Sequence, residues 1–469
     1  MTRPILWWVR RDMRLRDNDI LTRAAETGHP VIPVFIRDGI VDVTGAAPKW
    51  RWGLGLQAFE QTLRARGSRL ILRSGEPLSV LRNLIATTGA DAVHWHRLYD
   101  PDSITRDVAV KAGLKDDGCI AESHAGHILF EPWTVPTKTG GFYKVYTPMW
   151  RTVQYRDVPV PCSVPGLRSP EVWPESELFD DWALGAAMRR GAGVVEPYTC
   201  VGEDAALDRL DRFLEENIGR YQNKRDYPGV GAGSRLSENL TYGEISSRRL
   251  WHGGKRAAEQ GLPGTETFIK QIVWREFAYH LMYHQPGLAS EPFRQEWANF
   301  PWRSDNADAD AWRRGMTGCD IVDAAMRELY VTGTMHNRCR MLVGSYLTKH
   351  LLSHWRIGLN WFADTLIDWD PAANAMGWQW IAGCGPDASP YFRIFNPDTQ
   401  AEKFDGEAIY RDLYLRCGED DLGRTPATDF YEAIPRSWNM SAQDARPTPL
   451  VDLKEGRARA LAVYSTARN

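Results

Sequence analysis

The sequence of 469 residues contains no long apolar run and no strong excess of one charge. No stretch approaches the roughly 20 apolar residues that a membrane-spanning helix needs, so no span is expected. The N-terminal run ILWWV is closed by arginines and is too short for a signal peptide. With a net charge of −3, the overall balance does not indicate nucleic-acid binding, so any such surface must be a local basic patch.

Cysteine pairs are also lacking. The seven cysteines form no CxxC pair and no metal-ligand spacing, so neither a disulfide framework nor a metal site is expected. Scattered thiols are typical of a reducing compartment, and we expect a cytoplasmic protein. No GxGxxG motif follows the first predicted strand, so a dinucleotide at the end of that strand is not expected either.

The N-terminal part of the chain alternates short apolar runs with segments of helical periodicity. The runs ILWWV, PVIPVFI, RLILR and AVHWH are typical of buried strands, and two of the helical segments between them end at glycine. Such alternation predicts a doubly wound parallel sheet with right-handed crossovers, in which ligands lie at the carboxyl ends of the strands. We therefore expect an α/β domain over residues 1–130.

The remainder of the chain predicts a different architecture. Residues 131–198 are rich in proline and predict a long, irregular connector that lies over the surface. Beyond it the strand patterns stop, and amphipathic or buried helical patterns predict an all-helical domain over residues 199–469. The chain also contains 20 tryptophans, which predicts either large aromatic cores or a use for the indole rings.

Two segments of the helical region carry polar residues that a core helix does not need. The loop GAGSRLS (231–237) offers amides, hydroxyls and one arginine, which suit a phosphate but equally suit a capped helix start. Farther along the chain, Gln271, Trp274 and Arg275 share one helix face with Ala278. That face is typical either of a cavity wall or of an exposed helix edge with one buried tryptophan.

In a third segment, MHNRCRM, the residues Asn337, Arg340 and Met341 align at helical spacing while Arg338 points elsewhere. The aligned side chains predict a ligand-binding face, and a solvated basic patch is the alternative. Because the apolar run MLVGSYL follows at once and should be buried, the patch is the weaker interpretation.

The fourth segment is DWDPAANAMGWQW (368–380), in which Asp368, Asp370 and Asn374 are costly to bury without partners. A capped helix start followed by core aromatics is the simpler interpretation. If Arg340 is buried, Asp368 or Asp370 can supply its carboxylate partner. Together, the four segments predict a polar cavity inside an otherwise apolar helical domain.

Several motifs in order along the chain resemble the DNA photolyase/cryptochrome family. They are RRDMRLRDN, SRLS, WREF, VDAAMREL, MHNRCRM, WQWIAGCGPDASPYFRIFNP and NPDTQAEKFD. The resemblance spans nearly the whole chain, and it is closest to bacterial class I-type cyclobutane pyrimidine dimer photolyases. It implies light-driven repair of UV-damaged DNA by a protein that we expect to be a monomer.

The resemblance also implies FAD in the helical domain. The residues that would surround its phosphates and ribityl chain are Tyr221, Gly233, Ser234, Arg235, Leu236 and Ser237. Further contacts would come from Phe268, Arg275, Asn337, Arg340, Asp368, Trp369 and Asp370. Asn374 would face flavin N5, since an amide can accept a hydrogen bond from a protonated nitrogen without adding charge.

Further residues are implied to act in electron transfer and in lesion binding. Trp378, Trp355 and Trp302 fall where the family has its electron-transfer triad. The bases of the dimer would leave the duplex and stack on Trp274 and Trp380, as in other base-flipping proteins. Asn337 and Met341 would complete the lesion pocket, and Arg225 and Arg338 would hold flanking phosphates.

Gln271 departs from the pattern, because cyclobutane-dimer photolyases place a glutamate at this position to hydrogen-bond the dimer. Photolyases of (6-4) photoproducts have glutamine here but need a histidine where this chain has Met341. Repair of cyclobutane dimers, repair of (6-4) photoproducts and a cryptochrome-like photoreceptor therefore remain as alternatives. The absence of a long tail after RIFNP favours repair.

The family often binds an antenna chromophore in the sheet domain, either a folate or a deazaflavin. Folate-binding members have an Asn-Glu pair where this chain has Asp102 and Ser103. The resemblance therefore does not assign the antenna.

Overall fold

The computed structural model describes residues 2–387, 391, 393–417 and 424–468. Its N-terminal part contains a five-stranded parallel sheet in the order β3-β2-β1-β4-β5, which confirms the predicted doubly wound sheet. The strands are β1 (Ile5–Val9), β2 (Val31–Arg37), β3 (Ile71–Ser74), β4 (Ala92–His96) and β5 (Ile120–His124). The strand order reverses beside β1, so β1 and β4 flank the switch point of the sheet.

Helices cover both faces of the sheet. They are α1 (Asp19–Thr27), α2 (Gly39–Val43), α3 (Ala46–Arg64), α4 (Pro77–Thr88) and α5 (Pro101–Asp116). On one face Trp7 packs in a cluster with Leu56 and Phe59 of α3, and on the other Trp8 packs in a cluster with Leu81 of α4. Because adjacent residues of β1 are buried on opposite faces, the strand is apolar throughout.

Strand β5 was not predicted from the sequence. Its residues IAESH are mostly polar and only partly buried, and within the described residues it pairs with β4 alone. An edge strand needs no continuous apolar run, so the pattern that reveals central strands is missing here.

The predicted connector, residues 131–198, is largely irregular but contains two helices, α6 (Tyr146–Val153) and α7 (Gly191–Val195). Helix α6 buries Met149, Trp150 and Val153 in the same apolar cluster as the helical region that follows. The prediction of an irregular segment was therefore wrong for these stretches, because an amphipathic turn of helix needs only a few apolar residues to be held by a large core.

The helical region confirms the predicted all-α architecture. Its helices are α8 (Glu203–Arg212), α9 (Ile218–Lys224), α10 (Ser237–Tyr242), α11 (Ser247–Glu259), α12 (Thr265–His284), α13 (Ala307–Arg313), α14 (Asp320–Thr332), α15 (Asn337–Ser345), α16 (Trp355–Thr365), α17 (Pro371–Ala382), α18 (Pro397–Phe404), α19 (Ile409–Leu415), α20 (Pro426–Ala433) and α21 (Leu453–Arg468). One large apolar cluster joins α12, α14, α15, α16 and α17.

Buried ion pairs join the sheet to the helical region. Arg51 of α3 donates from Nε to Glu238 (2.5 Å) and from Nη2 to Glu244 (2.7 Å), and all three side chains are buried. Glu238 lies in α10, the short helix that begins after the loop GAGSRLS. The sheet region therefore holds one wall of the predicted cavity in place.

None of the helices in the described residues combines the length and the apolar character that crossing a membrane requires.

Candidate functional site

A buried carboxylate anchors the predicted cavity. Arg340 of α15 donates from Nη2 to both oxygens of Asp368, at 2.8 and 3.0 Å, and Ser237 donates from Oγ to Oδ2 at 2.7 Å. The Asp368 side chain is 3% exposed whereas that of Arg340 is 28% exposed. The pairing predicted for Arg340 is therefore present with Asp368 as the partner, and the guanidinium keeps one side toward open space.

The second acid of the segment has a different role. Asp370 is the N-cap of α17, and its Oδ1 accepts a hydrogen bond from the Ala373 amide at 2.9 Å. Its Oδ2 accepts from the Tyr279 hydroxyl at 2.6 Å, and Arg275 Nε lies 3.8 Å away. Both oxygens are therefore used to fix the start of α17.

Helix α17 carries an open stripe although it runs through the core. Ala373 and Gly377, one turn apart, are exposed, while Ala372, Ala375 and Trp378 are buried. A Cβ at Gly377 would meet no atom within 4 Å. This stripe is the geometry expected of a helix that forms one wall of a cavity.

Asn374 lies on the same side of α17 and is half-buried. Its Nδ2 donates to the Leu359 carbonyl at 3.0 Å, which fixes the orientation of the amide. Within the described residues no hydrogen bond to its Oδ1 is recorded, so this oxygen remains as an acceptor for a ligand.

The loop before α10 has the open backbone that its glycines predict. Gly231 and Arg235 both adopt positive φ, at 65° and 54°. Gly233, Arg235 and Ser237 are exposed, and a Cβ at Gly233 would meet nothing within 4 Å. Leu236 is buried beneath the loop, and Ser234 is half-buried. The loop thus presents amides and hydroxyls to open space.

Two aromatic side chains named by the resemblance lie under this loop. Tyr221 of α9 and Phe268 of α12 are both buried, with ring centroids 6.2 Å apart. Both pack in one apolar cluster with Leu236. Trp369, half-buried beside Asp368, has the Arg11 guanidinium 5.7 Å from its ring centroid.

Arg275 is held by a polar network that the sequence did not reveal. Its Nη1 donates to the His127 carbonyl at 3.0 Å and to Ser247 Oγ at 3.1 Å. His127 Nε2 lies 2.9 Å from the Tyr279 hydroxyl, and burial together with the nearby Arg275 charge lowers the pKa of His127 well below its usual value. His127 and Ser247 lie far from Arg275 in the sequence and carry no motif, so no sequence pattern indicated these contacts.

Helix α12 carries the polar face that the sequence predicted. Gln271, Trp274 and Arg275 are half-buried on it, as the helical spacing predicted, and Ala278 is buried. Trp274 stacks on Tyr146 of the connector, with ring centroids 3.8 Å apart and planes 4° apart. Tyr146 was missed by the sequence analysis, and it leaves only one face of Trp274 for a ligand.

The arginines predicted to hold phosphates already have partners. Arg225 donates from Nη2 to Gln271 Oε1 at 3.2 Å, and Arg338 donates to Asp226 at 2.8 Å. Arg338 also lies over the Phe404 ring, 4.4 Å from its centroid. The two arginines thus lie on either side of Asp226, close to Gln271, and form a small basic edge.

The remaining residues of the predicted lesion pocket lie on α15 and α17. Asn337 is exposed at the start of α15, and Met341, one turn later, is half-buried. Trp380 of α17 is half-buried as well. The structure therefore gives α12, α15 and α17 each a partly open polar or aromatic edge.

The three tryptophans of the implied triad differ in burial. Trp378 and Trp355 are buried, at 3% and 1% exposure, and Trp302 is half-buried beside a surface groove of about 630 Å³. The Trp378 ring rests against Gly358 of α16, the helix that begins at Trp355. The His354 ring lies between Trp355 and Trp302. Its centroid is 5.5 Å from the centroid of Trp355 and 6.0 Å from that of Trp302.

Comparison with known families agrees with this architecture. Residues 5–165 match the DNA photolyase family model, and residues 268–466 match the model of the FAD binding domain of DNA photolyase. The chain belongs to the DNA photolyase/cryptochrome family, and its helical region contains an FAD-binding domain.

Individual relatives are similar over their full length. The chain is 43% identical to a deoxyribodipyrimidine photo-lyase of Agrobacterium fabrum, covering 100% of this chain and 98% of the relative. It is similar to the crystal structure of a bacterial class III photolyase from Agrobacterium tumefaciens, with a TM-score of 0.90, 42% identity and coverage of 100% and 98%. An archaeal photolyase from Sulfolobus tokodaii with two FAD molecules gives a TM-score of 0.81, 28% identity and coverage of 99% and 100%. The expected class I type is not confirmed, since the similar bacterial structure is of class III.

Proposed function

We propose that this protein is a light-driven DNA photolyase that binds FAD in its helical region and repairs cyclobutane pyrimidine dimers, acting as a cytoplasmic monomer. Two observations carry the proposal: the exposed stripe of α17, and the buried Arg340–Asp368–Ser237 network just before the start of that helix. A polar, partly open wall inside a large apolar cluster is the arrangement expected of a cofactor site. The full-length similarity to deoxyribodipyrimidine photo-lyases supports the same conclusion.

The residues present fit FAD. The open loop at Gly233 and Ser234 offers amides and a hydroxyl to a diphosphate, and Tyr221 and Phe268 would flank it. At the other end, Arg340 and Asn374 would face a planar polar ring, with Asp368 keeping Arg340 in place. Arg275, Asn337, Trp369 and Asp370 would complete the enclosure.

When bound, FAD would supply both the absorption of light and the single electron that splitting a dimer requires. The protein residues provide orientation and electrostatics. Asn374 would present Oδ1 as a neutral acceptor, because its amide nitrogen is held by Leu359. Arg340 would place positive charge beside a ring that becomes electron-rich, and its pairing with Asp368 limits that charge.

The tryptophans Trp378, Trp355 and Trp302 would connect the cavity to the surface for electron transfer. Trp378 lies on α17 and is buried, whereas Trp302 borders a surface groove. Indoles are the most readily oxidised side chains of this buried set, so they are the natural carriers along the path.

Lesion binding would use the edges of α12, α15 and α17. The free face of Trp274 and the ring of Trp380 would stack on the two flipped bases, with Gln271, Asn337 and Met341 between them. Arg225 and Arg338 would bind flanking phosphates, which requires that they turn from Gln271 and Asp226 toward the DNA backbone. We also propose a second, antenna chromophore in the sheet region, and its identity is left open.

A repair assay with purified protein tests the proposed function. We expect yellow protein that, after reduction under blue light, restores an oligonucleotide containing one thymine dimer, and restores a (6-4) photoproduct far less well. Asp368→Asn should lower FAD content, since Arg340 then lacks its charged partner. Protein that binds FAD and is photoreduced but repairs neither lesion would contradict the repair function and favour a photoreceptor, and colourless protein that takes up no added FAD would contradict the cofactor site.

A further inference from the structure

Three ligand-type side chains meet at the edge of the sheet, on β4 and β5 rather than in the helical region. In the parallel register of β4 and β5, His94 is opposite Glu122 and His96 is opposite His124. Alternate residues of a strand point to the same face, so these side chains project from one face of the sheet. The potential ligand atoms of His94, Glu122 and His124 all lie within 4.8 Å of one another.

The two imidazoles are close and nearly parallel. His94 Nδ1 lies 2.8 Å from His124 Nε2, and the ring centroids are 5.1 Å apart with the planes at 27°. At this distance one of the two facing nitrogens carries a proton and the other a lone pair, and the lone pair of an imidazole nitrogen is what binds a metal ion.

A residue outside the trio of potential ligands orients the Glu122 carboxylate. Arg23 of α1 reaches Glu122 with Nη1 2.7 Å from Oε2 and Nη2 3.3 Å from Oε1. Such a hydrogen-bonded partner behind a carboxylate is typical of the outer shell of a metal site, and it leaves other lone pairs of the oxygens free.

We propose that His94, Glu122 and His124 bind a divalent transition-metal ion of the zinc type, with a water molecule as the fourth ligand. Two imidazoles and one carboxylate are a ligand set that Zn²⁺ favours. With Zn–N bonds of about 2.0–2.1 Å in a tetrahedron, the two nitrogens would lie about 3.3 Å apart, so the imidazoles need to separate by only about half an ångström.

Metal binding changes the tautomers but not the number of bound protons. The N–H shared between His94 Nδ1 and His124 Nε2 moves to the far nitrogen of its own ring, and both facing nitrogens then donate their lone pairs to the ion. His94 is buried whereas Glu122 and His124 are half-buried, so the open ligand position faces solvent at the edge strand. The ion would tie β5 to β4, a structural role independent of FAD.

The cysteine spacing, on which the expectation of no metal rested, carries no information about this site. These ligands come instead from two adjacent strands, and the second strand was not predicted. The alternative for the same geometry is a plain N–H···N hydrogen bond between neutral histidines. The metal site and the simple hydrogen-bonded pair differ in whether an ion binds, and ion binding can be measured directly.

The test uses the full-length, untagged protein with its FAD, freed of metal by a chelator. We expect titration with Zn²⁺ to give saturable binding of one ion per chain, and Co²⁺ to give the visible d–d bands of a four-coordinate site, displaced by Zn²⁺. His124→Gln and His94→Gln should weaken binding at least tenfold. Glu122→Gln, whose side chain is partly exposed, should weaken it too, and it guards against a misfolded histidine variant.

Two control variants locate the ion. Cys162→Ser alters another group of potential ligands, formed with Asp17 and Asp19, and should leave Co²⁺ binding unchanged. His29→Gln removes a nearby histidine outside the trio and should also have no effect. Wild-type protein that takes up no Zn²⁺ or Co²⁺, or variants of all three ligands that bind as well as wild type, would overturn the proposal.

Discussion

At the scale of single residues, Gln271 is the proposed contact to the lesion that departs most from the family pattern. Its Oε1 accepts a hydrogen bond from Arg225 at 3.2 Å, so its amide NH2 group is the part available to a substrate. A neutral amide donates a hydrogen bond but cannot donate a proton or tune its charge as a carboxyl group does. The residue therefore limits how strongly the reduced dimer can be stabilised.

Replacing Gln271 with glutamate should raise the repair of cyclobutane dimers. A hydrogen bond that involves an ionisable group contributes roughly 1–2 kcal/mol more than a neutral one, which corresponds to about tenfold in the repair yield per absorbed photon. Gln271→Ala is the matched control and should fall below wild type. If the glutamate variant repairs no better than wild type, position 271 does not limit the reaction.

Glu276, next to Arg275 on α12, makes stability depend on pH. Its Oε2 accepts hydrogen bonds from the Leu129 and Phe130 amides. Its Oε1 is buried and accepts no hydrogen bond among the described residues, with Arg275 Nη1 3.8 Å away. Burial raises the pKa of this carboxyl group from 4.5 to about 7, partly opposed by the Arg275 charge. Between these values the folded protein binds a proton that the unfolded chain does not, so stability falls as pH rises through this window.

Glu276→Gln should remove this pH dependence. The wild-type free energy of unfolding should decrease by up to about 3 kcal/mol, relative to the variant, as pH rises from about 4.5 to 7. Chemical denaturation of both proteins across this range measures the difference in slope, which does not depend on their absolute stabilities. Parallel profiles for the two proteins would show that Glu276 titrates normally.

At the scale of secondary-structure elements, α16 and α17 are locked together through a glycine. A Cβ added to Gly358 would lie 2.0 Å from Cη2 of Trp378, so only glycine permits this close packing. Gly377 on α17 is the opposite case, because a Cβ there meets nothing within 4 Å. The same substitution at the two positions therefore separates packing from helix propensity.

Gly358→Ala should destabilise the protein by roughly 1–3 kcal/mol and displace Trp378, because the added methyl group overpacks a buried contact. Gly377→Ala should instead stabilise the FAD-free protein by up to about 1 kcal/mol through helix propensity. Thermal unfolding of the FAD-free proteins measures both effects. A Gly358→Ala variant as stable as wild type would mean that the two helices are not held by this contact.

How much of the structure could be predicted from the sequence also varies from one element to another. The central strands β1 and β4 and the long helix α12 were predictable because each carries a complete apolar pattern. Strand β5 was not, because an edge strand of polar residues has no such pattern. For the cavity, the sequence indicated that Arg340 needs a carboxylate partner. It did not indicate which one, because Asp370 caps α17 and Asp368 is the acid that pairs with Arg340.

The site residues that were not identified from the sequence were missed for one physical reason. Tyr146 stacks on Trp274, and the His127 carbonyl accepts a hydrogen bond from Arg275, although neither residue belongs to the motifs that carry the resemblance. Their contacts join the connector and the sheet region to α12, so they depend on tertiary packing and leave no periodic trace in the sequence.

At the scale of the whole molecule, the sheet and helical regions depend on Arg51 at their interface. Arg51 is completely buried and neutralises Glu238 and Glu244. Glu238 also accepts a hydrogen bond from the Cys200 amide, and Glu244 accepts one from the Asn239 side chain. Removing one partner of a buried charge network leaves the others uncompensated, which costs far more than losing a surface ion pair.

Arg51→Met should therefore destabilise the protein by about 3–5 kcal/mol and lower its affinity for FAD. Arg64→Met on the same helix is the control, since Arg64 is 69% exposed and pairs with Glu60 at the surface, where the loss should stay below about 1 kcal/mol. Urea unfolding measures both variants. Equal losses for the two would contradict a joining role for Arg51.

The central claim is that the helical region holds a photoactive FAD connected to the surface through tryptophans. The most direct measurement is anaerobic photoreduction of bound FAD under blue light, followed by absorbance, in wild type and in Trp378→Phe, with Trp133→Phe, an exposed connector residue, as control. We predict normal FAD content in all three and loss of photoreduction in Trp378→Phe alone. Photoreduction of Trp378→Phe at the wild-type rate would contradict the account.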